Sequence, residues 1–215
     1  MKKALLKDSI KEIKNTYKRF ISILLMAFLG VGFFAGIRAT SPDMLNTIDA
    51  YYKNQNVYDI EIVSTLGLTE EDVNELKNVE GVKSVEGIYN EDVIINESDL
   101  EYVAKILDIK NTNVPILLEG NMPIEENECV VEKNVLTKLN KAIGDTIQLE
   151  TEEKSKIKEK NLKIVGIVQS PLYISRDRGT TTLASGKIDF YVYVKPENIN
   201  EDVYTRNLYK NKWNI

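Results

Sequence analysis

Residues 20–37 read FISILLMAFLGVGFFAGI, eighteen positions with no charge and a single hydroxyl, Ser22. At 1.5 Å of rise per residue the run covers roughly 27 Å, close to the ~30 Å hydrocarbon core of a bilayer. Tyr17 and Ala39 can extend it at either end. A core helix of a soluble protein rarely runs this far without a polar face. The stretch therefore reads as a transmembrane helix, and the rest of the chain is organised around it.

Charge sets its expected direction. Residues 1–19 hold seven basic side chains against Asp8 and Glu12, a net +5, and the whole chain carries −5, so everything after the span carries −10. Lys and Arg beside a span stay on the cytoplasmic side, which puts the N-terminus inside and the bulk outside. A cleaved signal peptide would have an apolar region of about 7–15 residues and a small-residue cleavage site. Here the apolar run is longer, the basic leader is long, and Arg38 interrupts the one A-x-A-like possibility. Within the leader, Leu6, Ile10, Ile13, Tyr17 and Phe20 recur every three or four residues. A helix with that stripe lies in the headgroup region with its lysines near anionic lipid.

After the span, Ser41-Pro42-Asp43 reads as an N-cap, a proline at the first helical position and an acid in the first turn. A stalk helix to about Asn54 follows, either restarted there or continuing from the span with a kink at Pro42. The alternation in VYDIEIVS (57–64) predicts a half-buried strand. Thr69 and Asp72 form a capping box that starts a helix ending between Asn78 and Gly81, with Leu68 placed to staple onto Val73. Strands are expected over Val82–Ile95, bent or broken at Gly87, and over Glu101–Ile109. From Pro115 to Ile167 short strands (ECVVEK, TIQLE, LKIVGIV) alternate with one short helix, NVLTKLN, and a charged hairpin tip, TEEKSKIKEK. A polar loop over Ser170–Lys187 leads into the strand IDFYVYV.

Much chemistry is excluded by composition. The chain has no histidine and one cysteine, Cys129, which removes His-based triads, His metal sites and thiolate zinc clusters. Cys129 cannot form an internal disulfide, and its place in ECVVEKN reads as an apolar strand position. No G-x-S-x-G is present. In GTTTLASGK (179–187) six residues separate the glycines instead of four, and Ile188 stands where a phosphate loop needs Ser or Thr. The acidic pairs fall at a helix start, a loop and a hairpin tip, as solvated charge does. No catalytic, cofactor or metal site is expected, and the acidic balance argues against nucleic acid as a partner.

Two features remain as candidate contact sites. Gly32 and Gly36 form G-x-x-x-G in the span, extended by Gly30, and small residues four apart allow a second helix to approach closely. The loop Arg176-Asp177-Arg178-Gly179-Thr180 can meet an anion or a partner protein, with Arg176, Arg178 and Gly179 as the contact residues, or it can be a solvated loop with an internal Arg–Asp pair.

Three stretches carry a family resemblance. KDSIKEIKNTYKRFISILLMAFLGVGFFAGIRATSPDM is a basic leader running through a span into a stalk. NMPIEENECVVEKNVLTKLNKAIGDTIQLE has a G-x-x-P start, an E-x-V-V-like strand, a short helix and a G-D-T-I turn. LKIVGIVQSPLYISRDRGTTTLASGKIDFYVYV is a returning strand, a loop and a further strand. In this order they resemble the N-terminal part of an ABC-transporter permease of the MacB/FtsX type, as found in large Gram-positive members. The Lys-, Asn-, Ile-, Glu- and Tyr-rich composition fits an AT-rich bacterial genome.

The resemblance implies an α+β fold: one transmembrane helix plus an extracytoplasmic porter-like α/β subdomain carrying an inserted small β-rich subdomain. The expected division is an interfacial helix at 1–19, the span at 20–40, the stalk at 41–56 and a MacB-like domain at 57–215. Within the last, 57–112 and 168–215 would be porter-like and 113–167 the insert. The implied partners are a separate cytoplasmic ATPase subunit and further permease spans or a second permease copy, with the lipid bilayer around them. The implied work is export or mechanical transmission, without enzymatic activity of its own. After Val203 the text TRNLYKNKWNI departs from the family pattern and reads as a truncated end. The competing reading is a single-pass anchored module that binds or senses an extracytoplasmic ligand.

Overall fold

A computed structural model describes residues 2–98, 100–172, 178–200 and 204–211. The chain divides into two compact units, 1–51 and 52–215.

The first unit is helical. Helix α1 covers Lys2–Asn15 and helix α2 covers Tyr17–Asn54, 38 residues with Pro42 inside. Its most apolar eighteen-residue window has a mean hydropathy of 2.4, and none of that window is buried within the chain. By length and composition α2 is able to cross a membrane. The two alternatives left open at Pro42 resolve into one continuous helix. Around position 42 the hydroxyls of Thr40 and Thr47 donate to the Gly36 and Asp43 carbonyls, both at 2.8 Å, the local bonding that side-chain hydroxyls offer inside a helix.

The second unit holds two sheets. The smaller takes β1 (Ile60–Leu68), β2 (Val82–Ile88) and β10 (Tyr204–Asn211), in the order β1-β10-β2. Both pairings with β10 are antiparallel, so β1 and β2 run parallel and are joined by helix α3 (Glu70–Lys77). This is a split β-α-β unit with a strand inserted between its halves. α3 starts as expected: Thr69 caps it, the reciprocal Asp72 bond completes the capping box, and Leu68 and Val73 are both buried. The stretch after Val203, expected to leave the family pattern, supplies the central strand of this sheet.

The larger sheet has β3 (Asn90–Glu97), β4 (Leu100–Asp108), β5 (Ile116–Gly120), β6 (Glu128–Glu132), β7 (Thr146–Gln148), β8 (Asn161–Gln169) and β9 (Phe190–Val194). The order is β3-β4-β9-β6-β8-β5, with β7 also paired to β8. Ile94 and Glu150 exchange two backbone hydrogen bonds, at 3.2 and 2.7 Å, so β3 closes toward the chain leaving β7. The enclosed face packs Val93, Ile106, Cys129, Val131, Leu162, Ile164, Phe190 and Val192 with Val135 and Leu139 of helix α4 (Lys133–Leu139). The opposite face packs Leu107, Val130, Val168, Ile188, Tyr191 and Tyr193. Strand β9 alternates between the two faces and is buried throughout, as a central strand covered on both sides must be.

Two expectations change. The break in Val82–Ile95 falls at Tyr89, between the two sheets, and not at Gly87. Gly87 lies within β2, where a Cβ would come 2.5 Å from the Tyr204 ring, so the missing side chain leaves room for that ring. The first strand begins at Ile60 and runs on to Leu68. β3, β4 and β9 share one sheet with β5–β8, because parallel pairing of β4 with β9 and antiparallel pairing of β6 with β9 place all of them around one core.

Candidate functional site

Helix α2 ends in a Schellman motif. Val57 N–H donates to the Tyr52 carbonyl at 3.0 Å and Asn56 N–H to the Lys53 carbonyl at 3.2 Å, with Asn56 in the left-handed region at φ +50°. The chain leaving that cap is fastened to the segment between β4 and β5. Asn56 Nδ2 donates to the Asn111 carbonyl at 2.7 Å, and Tyr58 N–H to Asn113 Oδ1 at 3.3 Å. In return Asn113 N–H donates to the Asn56 carbonyl at 3.2 Å and Val114 N–H to the Gln55 carbonyl at 3.1 Å. Asn113 is buried and also left-handed, at φ +57°, a conformation that asparagine tolerates better than most residues.

The same segment reaches the smaller sheet. The Glu86 carboxylate on β2 accepts from Asn111 N–H and Nδ2, both at 3.3 Å, and from Thr112 N–H at 2.7 Å. Lys110 Nζ donates to the Gly87 carbonyl at 2.7 Å, pairs with Asp108 at 3.1 Å and lies 4.8 Å from the centre of the Tyr204 ring. Tyr89, the one residue between β2 and β3, donates its N–H to Asp108 Oδ1 at 3.2 Å and its hydroxyl to Glu91 at 2.5 Å. Burial, with Glu91 beside it, pushes the Tyr89 phenol upward in pKa. The helix cap, the small sheet and the large sheet thus meet on residues 108–114. In the sequence this junction leaves one signal, the clustering of asparagines at 54, 56, 111 and 113.

Arg178 and Gly179 of the expected contact loop are placed, while Arg176 lies outside the described residues. The Arg178 guanidinium turns inward to Glu132, with Nε 2.7 Å from Oε2 and Nη2 3.1 Å from Oε1. These bonds raise its pKa above the ordinary value. Glu132 also accepts from Tyr191 N–H at 3.2 Å, and the Tyr191 hydroxyl donates to the Arg178 carbonyl at 2.6 Å. Gly179 follows at φ +94°. Arg178 therefore anchors its loop to the end of β6. Glu132, an acid closing an apolar strand, was the overlooked half of that pair.

Gly32 and Gly36 lie on the exposed part of α2, and a Cβ added to either, or to Gly30, would meet nothing within 4 Å. Cys129 is fully buried, and desolvation pushes its thiol up in pKa. Among the described residues no group of three or more acidic, Cys or His side chains is placed to hold a metal ion.

No curated protein matches the chain. Solved structures similar to it include the extracellular domain of the noncanonic ABC-type transporter YknZ from Gram-positive bacteria, at 14% identity and a TM-score of 0.44, over 70% of this chain and 76% of that one. The periplasmic region of MacB from Actinobacillus actinomycetemcomitans is similar at 12% identity and a TM-score of 0.44, over 72% and 68%. Residues 20–212 match the family described as MacB-like periplasmic core domain, a range that begins at the span and takes in the central strand β10. With nearly its whole length matched, the chain belongs to the MacB-like periplasmic core domain family.

Proposed function

We propose that this chain is the membrane-anchored N-terminal portion of an ABC-transporter permease, which couples a separate cytoplasmic ATPase to conformational work outside the membrane. The observation that carries the reading is the continuity of α2 from Tyr17 to Asn54. At 1.5 Å per residue such a helix is roughly 57 Å long, enough to cross a bilayer and continue well beyond it. A single helix transmits axial and rotational displacement, whereas a flexible linker would absorb it. Family membership supports the permease assignment, and the absence of histidine with only one cysteine agrees with a part that performs no chemistry of its own.

The basic leader supports an N-terminus in the cytoplasm, where its lysines meet anionic lipid and the ATPase. Met44, Leu45 and Ile48 on the stalk are exposed, as are the apolar residues of the span. Together with Gly32 and Gly36 they offer a surface to the remaining permease spans or to a second copy.

The test is purification of the full chain from its native membrane. A nucleotide-binding subunit is expected to accompany it, and single cysteines at Lys7 and Asn54 are expected to react with an impermeant maleimide from opposite sides. Recovery of the chain without any nucleotide-binding subunit, or labelling of both positions from the same side, overturns the reading.

A further inference from the structure

We infer that Glu86 is the clasp through which the end of helix α2 controls the orientation of the three-stranded sheet. The inference rests on the reading of α2 as a transmitting helix and names the place where its displacement enters the domain.

The two sheets are joined unequally. The large one is rolled around a continuous apolar core. The small one leaves Ile60, Val63 and Leu66 exposed; it passes into β3 through the single residue Tyr89, and the chain also enters it from β9 ahead of β10 and from helix α2 ahead of β1. Polar contacts beside Tyr89 help to fix its orientation. They include the three donors on Glu86, the Lys110 bond to Gly87 and the bond from Asn90 N–H to Thr205 Oγ1 at 2.8 Å. Hydrogen bonds at half-exposed positions add little net stability because water replaces them. They can therefore open without unfolding either sheet.

The donors on Glu86 belong to Asn111 and Thr112, within the segment that shares four hydrogen bonds with residues 55–58, two in each direction. Displacing the α2 cap pulls on this segment through those bonds and on β1 through residues 57–59. The Glu86 contacts then part, and the small sheet turns about Tyr89 while the large sheet keeps its core. The helix is thereby coupled to the less constrained of the two sheets.

The full chain in nanodiscs tests this with spin labels on Asn74→Cys in α3 and Lys133→Cys in α4, both exposed positions, while Cys129 is buried and stays unlabelled. The distance distribution is expected to broaden or shift with Glu86→Ala. Glu86→Gln, which keeps one acceptor oxygen and the side-chain length, is expected to give a smaller change. Asn56→Gly, which permits the left-handed backbone but removes the amide, is expected to change it too. Amide exchange at Asn111 and Thr112 in Glu86→Ala is expected to rise about tenfold, the scale of losing a hydrogen bond to a charged acceptor, with β6 and β9 unaffected. A wild-type distribution in either Glu86→Ala or Asn56→Gly overturns the inference, as does faster exchange throughout β6 and β9. These readouts need no ATPase, so failure of the clasp is distinguishable from failure of the permease reading.

Discussion

Arg178 and Glu132 form a two-pronged ion pair that ties the loop before β9 to the end of β6, with side chains only 18% and 9% exposed. Removing the guanidinium leaves a carboxylate in a largely desolvated position, facing the Tyr191 amide. Arg178→Ala is expected to destabilise the domain by about 3 kcal/mol, the lower end of the cost of stripping one partner from a buried pair. Arg178→Lys recovers only part, because an ammonium cannot make both parallel bonds. Urea unfolding followed by tryptophan-independent circular dichroism measures both, and an unchanged midpoint in Arg178→Ala would falsify the anchoring role.

Gly32 and Gly36 offer an unusually clean substitution. A Cβ added at either position meets nothing within 4 Å, so substitution there introduces no clash at the Cβ. Loss of association with normal insertion would point to a neighbouring helix packed on these glycines. The double variant, with leucine at both positions, is expected to insert normally and to lose crosslinking to other spans or to a second copy. Crosslinking at the wild-type level would remove these glycines from the contact face.

Gly87 and Tyr204 are coupled by space. With the new Cβ 2.5 Å from the Tyr204 ring, Gly87→Ala is expected to cost about 1–3 kcal/mol through overpacking. Tyr204→Ala should cancel much of that clash, so the double variant is expected to be less destabilised than the sum of the singles. Tyr204 also donates its hydroxyl to Glu70 at 2.8 Å, so the single Tyr204→Ala carries a cost of its own. Strict additivity in a double-mutant cycle would contradict the predicted contact.

Glu128 supplies a pH dependence of known sign. Its carboxylate accepts N–H bonds from Ile124 at 2.7 Å and Glu125 at 3.1 Å. Those bonds hold its pKa below the ordinary 4.5. The folded chain thus binds fewer protons than the unfolded chain just below that value. The contribution is fully present above 4.5 and disappears as pH falls through the lowered folded value. The difference in urea midpoint between wild type and Glu128→Gln is expected to be constant near neutrality and to vanish in acid. A difference that grows on acidification would mean the bonds are not formed in solution.

Local features were the most readable. The capping box at Thr69 and Asp72, the short helix after ECVVE and the turn into TIQ need only neighbours in sequence, and each lies where its residues place it. Pairings between distant segments were not readable in this way. β10 sits between β1 and β2, at a separation of more than a hundred residues from each. Its text, YTRNLYKN, mixes polar and aromatic residues without a strong alternation. The Asn56–Asn111 and Glu86–Thr112 contacts were silent for the same reason: asparagine and glutamate in loops and at strand ends are read as solvated unless a distant partner is known.

The long apolar helix α2 was determined by the sequence alone. Eighteen uncharged residues after a +5 leader satisfy backbone and solvent requirements by local hydrogen bonding, with no need of distant partners. Whether Pro42 restarted the helix, and what received its far end, was settled only by the tertiary structure. One continuous helix reaches Asn54, and its cap is tied to residues 111–114, which in turn bind Glu86. Those bonds form only when strands far apart in the chain have paired around a shared core, and no local propensity encodes that meeting.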